Sequence, residues 1–99
     1  MQKVALITGA ATGIGRAIAI RLAKDGILIA INYMGSPFQA DEVVNEIQTN
    51  GGIAKVFSAD VSKVAKIEQL FNEVNNTFGG IDIVVANAGI AVMGIPIID

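Results

Sequence analysis

Apolar residues along this chain gather in four short runs, at residues 4–7, 27–31, 53–57 and 81–86. Each is rich in Ile and Val, and polar residues mostly do not alternate with the apolar ones. Strands buried on both faces have this signature, as in a parallel sheet covered by helices. Between the runs, apolar positions recur every three or four residues, the spacing of one helix face. The first helix is expected over residues 13–25, with Ile14, Ile18 and Leu22 as its stripe and Gly26 as its stop. The second opens at Ser36-Pro37, a capping residue followed by proline at the first helical position. It buries Ala40, Val43, Val44 and Ile47 and ends at Gly51-Gly52. The third takes Ser62 as its cap, with Ile67, Leu70, Phe71, Val74 and Phe78 as its stripe, and ends at Gly79-Gly80.

The order is β-α-β-α-β-α-β, with no linker and no second domain. Right-handed crossovers turn it into a doubly wound parallel sheet of spatial order 3-2-1-4. The chain then reverses direction across the sheet between strands 1 and 4. The crevice beyond their carboxyl ends is where open α/β sheets place ligands.

Composition narrows the chemistry. The chain has 99 residues, enough for one small domain; 53% are hydrophobic and the net charge is -2, which excludes disorder. There is no Cys and no His, so no disulfide, thiolate metal site or imidazole base is available, and no metal site is expected. The seven Lys and Arg are scattered, which speaks against nucleic acid as a partner. No run is long enough for a signal core or a membrane span, so a soluble cytoplasmic protein is expected. Arg16, Arg21 and Lys24 are assigned to the solvent face of the first helix, and Lys63, Lys66, Glu68 and Glu73 to that of the third.

The unusual residues all fall at strand carboxyl ends. Thr8-Gly9-Ala10-Ala11-Thr12-Gly13-Ile14-Gly15 follows the first run and opens the first helix. Glycines at such a switch bring backbone close to a phosphate, and free helix N–H groups point at it. A nucleotide-type ligand is the leading expectation; ordinary tight turns are the plainer one. Asn32 and Tyr33 end the second run, Asp60-Val61 follows the third, and Asn87-Ala88-Gly89 follows the fourth. Asp60 also suits a turn or cap before the third helix, and Asn87-Ala88-Gly89 a plain turn. A phosphoryl-transfer loop would continue with Gly-Lys-Ser/Thr; this chain has Gly13-Ile14-Gly15-Arg16.

Thr8-Gly9-x-x-x-Gly13-x-Gly15, Asp60-Val61 and Asn87-Ala88-Gly89, in that order, resemble the amino-terminal part of the short-chain dehydrogenase/reductase family. Phe78-Gly79-Gly80-Ile81-Asp82 looks most like its 3-oxoacyl-acyl-carrier-protein reductase and glucose dehydrogenase branch. The resemblance implies a Rossmann-type NAD(P)-binding domain, of which residues 1–99 form the amino-terminal part. It implies that Gly9, Gly13 and Gly15 turn beneath the pyrophosphate, that Ile14 offers a backbone N–H, and that Thr8 braces the loop toward the segment holding Asn87. Asp60 would accept from the adenine amino group with Val61 against the ring. Asn87 would hold the ribose side, and Ala88 and Gly89 would leave room for the cofactor.

The second strand's end bears on NAD against NADP. A carboxylate there binds the ribose 2′-hydroxyl and repels a 2′-phosphate. Here stand Asn32 and Tyr33, with no acid before Asp41. Thr12 and Met34 occupy places where a cation would help, and Ser36 could donate to a phosphate as well as cap its helix. NADP is preferred, with NAD as the alternative.

The implied parent reaction moves hydride between a nicotinamide ring and a carbonyl or alcohol substrate. The family's catalytic Ser, Tyr and Lys have no counterpart here: Tyr33 is the one tyrosine, and Pro37 stands where the Lys would be. No catalytic residue is assigned. The fourth strand is internal in the family, so its far edge would lie open and residues 90–98 would have little to pack against. The expectation is a fragment, a truncated reading frame or a domain completed by another chain. The full-length parent would be a homo-oligomer. The rival reading is a non-catalytic nucleotide-binding module or an inactive truncated product.

Overall fold

A computed structural model describes residues 2–9, 13–33, 37–60 and 63–86. Strands β1 (Val4–Thr8), β2 (Leu28–Tyr33), β3 (Ala54–Ser58) and β4 (Ile83–Ala86) alternate with helices α1 (Gly13–Lys24), α2 (Pro37–Thr49) and α3 (Val64–Phe78). The strands form one parallel sheet in the order β3-β2-β1-β4, as the pattern requires.

Strand alternation divides the core between the two faces. Ala5, Ile7, Ile29 and Ile31 meet Ala19 and Ala23 of α1 and Ala40, Val43 and Ile47 of α2. Val4, Leu6 and Ala30 meet Ile67, Leu70 and Val74 of α3. Central β1 is buried along its whole length, and β2 nearly so. β3 departs from the expectation: Lys55, Val56 and Ser58 are exposed, because β3 is an edge strand that the helices do not cover on both faces. A lysine there also discourages edge-to-edge pairing with other chains. β4 is half-buried throughout.

The α1 stripe is corrected by one residue. Gly15, Ala19 and Ala23 are the buried positions, whereas Ile14 is 71% exposed and Ile18 and Leu22 flank the contact half-buried. Small residues let the helix backbone lie close to the sheet, and the bulkier chains spread sideways. Arg16, assigned to the solvent face, is part-exposed and also paired across helices. Its Nη2 donates to Glu46 Oε1 at 2.7 Å, both side chains are partly covered, and the pair ties α1 to α2. Arg21 does lie outward, paired with Asp25 one turn on.

The α3 cap also moves. Lys63 is the N-cap, with extended backbone and no side-chain cap bond; Ser62, the expected cap, lies outside the described residues. The Lys63 N–H donates to the Asp60 carbonyl and the Ile67 N–H to the Lys63 carbonyl. β4 begins two residues later than its apolar run. Asp82 lies beside β1, where its Oδ2 accepts the Val4 N–H at 2.8 Å and its own N–H donates to the Val4 carbonyl. A side-chain carboxylate thus replaces the ladder acceptor, and regular pairing starts at Ile83.

Candidate functional site

Parallel strands alternating with helices bring all their carboxyl ends to one rim, so every strand-to-helix corner faces the same side. The structure gathers there the described residues singled out above: Thr8 and Gly9 after β1, Gly13, Ile14 and Gly15 opening α1, Asn32 and Tyr33 ending β2, and Asp60 after β3. Thr12, Ser36, Val61, Asn87, Ala88 and Gly89 lie outside the described residues.

The first corner is built by glycine. Gly9 and Gly13 have φ of 64° and 61°, a left-handed conformation that L side chains rarely adopt. A Cβ at Gly13 would meet no atom within 4 Å beyond its chain neighbours and its own helix. Among the described residues, then, no side chain crowds Gly13. The first amides of an α-helix lack intrahelical acceptors and carry the positive end of its dipole. No acidic side chain stands in the first turn of α1 to occupy them. This corner suits an anion such as a diphosphate.

Thr8 and Asn32, partners in the β1–β2 register, are the buried polar residues just below the rim. Thr8 Oγ1 donates to the Val85 carbonyl at 3.4 Å, toward the segment that carries Asn87. Asn32 is 2% exposed, and its Nδ2 donates to the carbonyls of Phe57 and Ala59 at 3.3 and 3.2 Å. Tyr33, one residue on, is half-buried against the α1–α2 face. Neither donor bond of Asn32 was legible in the chain, since its acceptors are backbone atoms of another strand.

Asp60 is half-buried and lines a groove of about 280 Å³ between the end of β3 and α3, together with Ser58, Lys66, Gln69 and Glu73. A larger open hollow, about 770 Å³, lies at the other end of the sheet beside Gln2, Lys3 and Asp25. Gly26 and Ile27 complete its lining, and none of the candidate site residues borders it, so size alone does not mark the site. Sequence reasoning also missed Glu46, which holds Arg16 at the first turn of α1. Its spacing from Arg16 carries no local signal.

The family model for short chain dehydrogenases matches residues 3–97. A 3-oxoacyl-acyl-carrier-protein reductase of Staphylococcus epidermidis is 44% identical over 90 residues, covering 91% of this chain and 37% of that protein. The short-chain dehydrogenase/reductase homolog YusS of Bacillus subtilis is also 44% identical over 90 residues, covering 91% of this chain and 83% of that protein. The solved structure of an NADH-dependent reductase, A1-R′, complexed with NAD superposes with a TM-score of 0.82 at 35% identity, over 89% of this chain and 36% of that one. This chain spans about a third of the length of the first curated relatives. A glycine-built corner at the head of a 3-2-1-4 sheet, matched by that model over nearly its whole length, makes this chain a member of the short-chain dehydrogenase/reductase family.

Proposed function

We propose that this chain forms the nucleotide-binding portion of a single NAD(P)-binding Rossmann domain in an oxidoreductase. The observation that carries the reading is the first corner, where Gly9 and Gly13 are left-handed and a Cβ at Gly13 would meet no atom of the described residues within 4 Å, its chain neighbours and own helix aside. The cofactor, when bound, exchanges a hydride with a carbonyl or alcohol carbon. The residues of this chain bind and orient it. Gly9, Gly13 and Gly15, with the Ile14 amide, take the diphosphate. Thr8 holds the corner to β4, and Asp60 and Val61 take the adenine. Asn87, Ala88 and Gly89 take the ribose side. Thr12, Asn32, Tyr33 and Ser36 surround the place of the 2′-group. No residue of this chain is assigned to proton transfer.

NADP is the preferred dinucleotide. β2 ends in Asn32 and Tyr33, and the first acid beyond them, Asp41, is an exposed residue of α2. No carboxylate stands at the strand end to repel a 2′-phosphate. NAD, which the A1-R′ reductase binds, is the alternative. A small carbonyl or alcohol substrate, a homo-oligomeric full-length protein and a cytoplasmic location go with this reading. Among the described residues no helix is long and apolar enough to cross a membrane.

Calorimetric titration with NADPH and NADH tests the proposal. Tighter binding of NADPH is expected. Tighter NADH binding overturns the preference, and binding of neither overturns the reading. Carbonyl-dependent oxidation of the bound cofactor by the natural full-length product separates an enzyme from a non-catalytic module.

A further inference from the structure

The turn that joins α2 to β3 lies at the amino ends of the strands, opposite the rim. It contains Asn50-Gly51, the one place in this chain where glycine follows asparagine. Both residues are exposed. A side chain on the following residue ordinarily hinders attack of its backbone nitrogen on the asparagine amide, and glycine has none. A Cβ built at Gly51 would meet no atom of the described residues within 4 Å, its chain neighbours aside, so nothing else in the fold closes over the turn on that side.

We infer that Asn50 is a site of spontaneous deamidation through a cyclic imide, and that the last turn of α2 controls its rate. In this reaction the Gly51 nitrogen bonds to Asn50 Cγ, the Cγ–Nδ2 bond breaks, and the Gly51 proton leaves with the amide as ammonia. Water then adds to one of the two imide carbonyls and opens the ring. Opening on one side gives aspartate. Opening on the other gives isoaspartate, in which the chain runs through the side-chain carbons. Water enters and ammonia leaves; nothing is oxidised or reduced.

The folded turn holds both reacting groups in other bonds. The Gly51 N–H donates to the Gln48 carbonyl at 3.0 Å, and Asn50 Nδ2 donates to the Glu46 carbonyl at 2.9 Å. Helix ends open locally far more readily than a whole domain unfolds, so the reaction proceeds through the opened fraction. Its products fit the turn worse than asparagine does. A carboxylate at 50 has no hydrogen to offer the Glu46 carbonyl. It also sets a negative charge at the negative end of the helix dipole. α2 has no Lys or Arg of its own to offset that charge. Isoaspartate lengthens the backbone just before Gly52, whose N–H donates to the Ile47 carbonyl at 2.9 Å and whose built Cβ would lie 2.7 Å from Ile47 Cγ2. One residue on, the Ile53 carbonyl accepts the Ile29 N–H where β3 joins the sheet. The connection is thus held at both ends, and an added atom strains it.

The test holds the protein in alkaline buffer, folded and unfolded in guanidinium chloride, and cleaves samples after lysine and arginine at intervals. The peptide of residues 25–55 then carries Asn32, Asn45 and Asn50 together, so the first two serve as internal controls. Fragment masses are expected to place the new acid at Asn50 in the folded protein, with Asn32 and Asn45 intact, and chromatography to resolve it into aspartate and isoaspartate. The folded protein is expected to react about tenfold or more slowly than the unfolded chain, because only molecules with that turn open react. Asn50→Asp, which copies one product, is expected to melt about 2–6 °C below the wild type. An Asn50 that stays intact in the folded protein, or that converts no sooner than Asn32 or Asn45, overturns the site. Aspartate without isoaspartate overturns the imide route. A smaller difference between folded and unfolded rates overturns the control by α2, and an Asn50→Asp that melts at or above the wild-type temperature overturns the cost assigned to the product.

Discussion

Replacing Gly13 by alanine separates the glycine corner as a ligand site from the glycine corner as a turn. Gly13 sits at φ 61° with no atom of the described residues within 4 Å of a built Cβ, its chain neighbours and own helix aside. The stability cost is therefore the backbone cost alone, about 1–2 kcal/mol for an L residue in the left-handed region. Against a total of about 5–15 kcal/mol the domain stays folded. Its melting temperature should fall by about 5–15 °C. Binding should suffer separately. The methyl group fills the open space through which a diphosphate would reach the first amides of α1. Losing one hydrogen bond to a charged group costs about 1.5–3 kcal/mol. That is a weakening of about tenfold to somewhat over a hundredfold in Kd for NADPH. Gly79→Ala is the control. Gly79 has φ 82°, is equally uncrowded, and caps α3 at the opposite end of the sheet. Its melting temperature should drop similarly while its affinity holds. Thermal melts and calorimetry on the same preparations provide both numbers. Unchanged affinity in Gly13→Ala, or an equal loss in Gly79→Ala, refutes the reasoning.

Three further outcomes test the packing. Gly52→Ala would place a Cβ 2.7 Å from Ile47 Cγ2 and 3.3 Å from Ala23 Cβ, so urea unfolding should show a loss of about 1–3 kcal/mol from overpacking. Leu6→Ala in the fully buried centre of β1 should cost about 2–5 kcal/mol, whereas Val56→Ala on edge strand β3 should cost under about 1 kcal/mol in the same titration. The coupling between Arg16 and Glu46, read by a double-mutant cycle in Ala variants, should be about 0.5–1 kcal/mol because both side chains are partly exposed, and it should shrink in about 1 M salt.

Much of this fold is legible before folding because its signals are local. A strand buried on both faces must be apolar at successive positions, and β1 and β2 are. Gly26, Gly51 and Gly79 stand where the helices give way. The strand order follows from crossover handedness and the spacing of the runs, and the family motif places Thr8, Gly9, Gly13 and Asp60 on one rim. What stayed hidden concerns which side of an element faces what. Periodicity alone offers two adjacent stripes on α1, and close approach to the sheet selects Gly15, Ala19 and Ala23 over Ile14. In the run at 53–57 only Lys55 hints that β3 is an edge, and its apolar neighbours carry the pattern of a strand buried on both faces.

The sequence by itself therefore determined the element order, the parallel sheet and the glycine-built first corner, since each depends on residue type within a few positions. Only the tertiary structure decided that Asn32 is spent on the Phe57 and Ala59 carbonyls, that Asp82 takes the Val4 N–H, and that Arg16 is held by Glu46. Those bonds join residues far apart in the chain, and in two of the three the partner is a backbone group that every residue carries. Their pairing is set by strand register and helix docking, which no local pattern encodes.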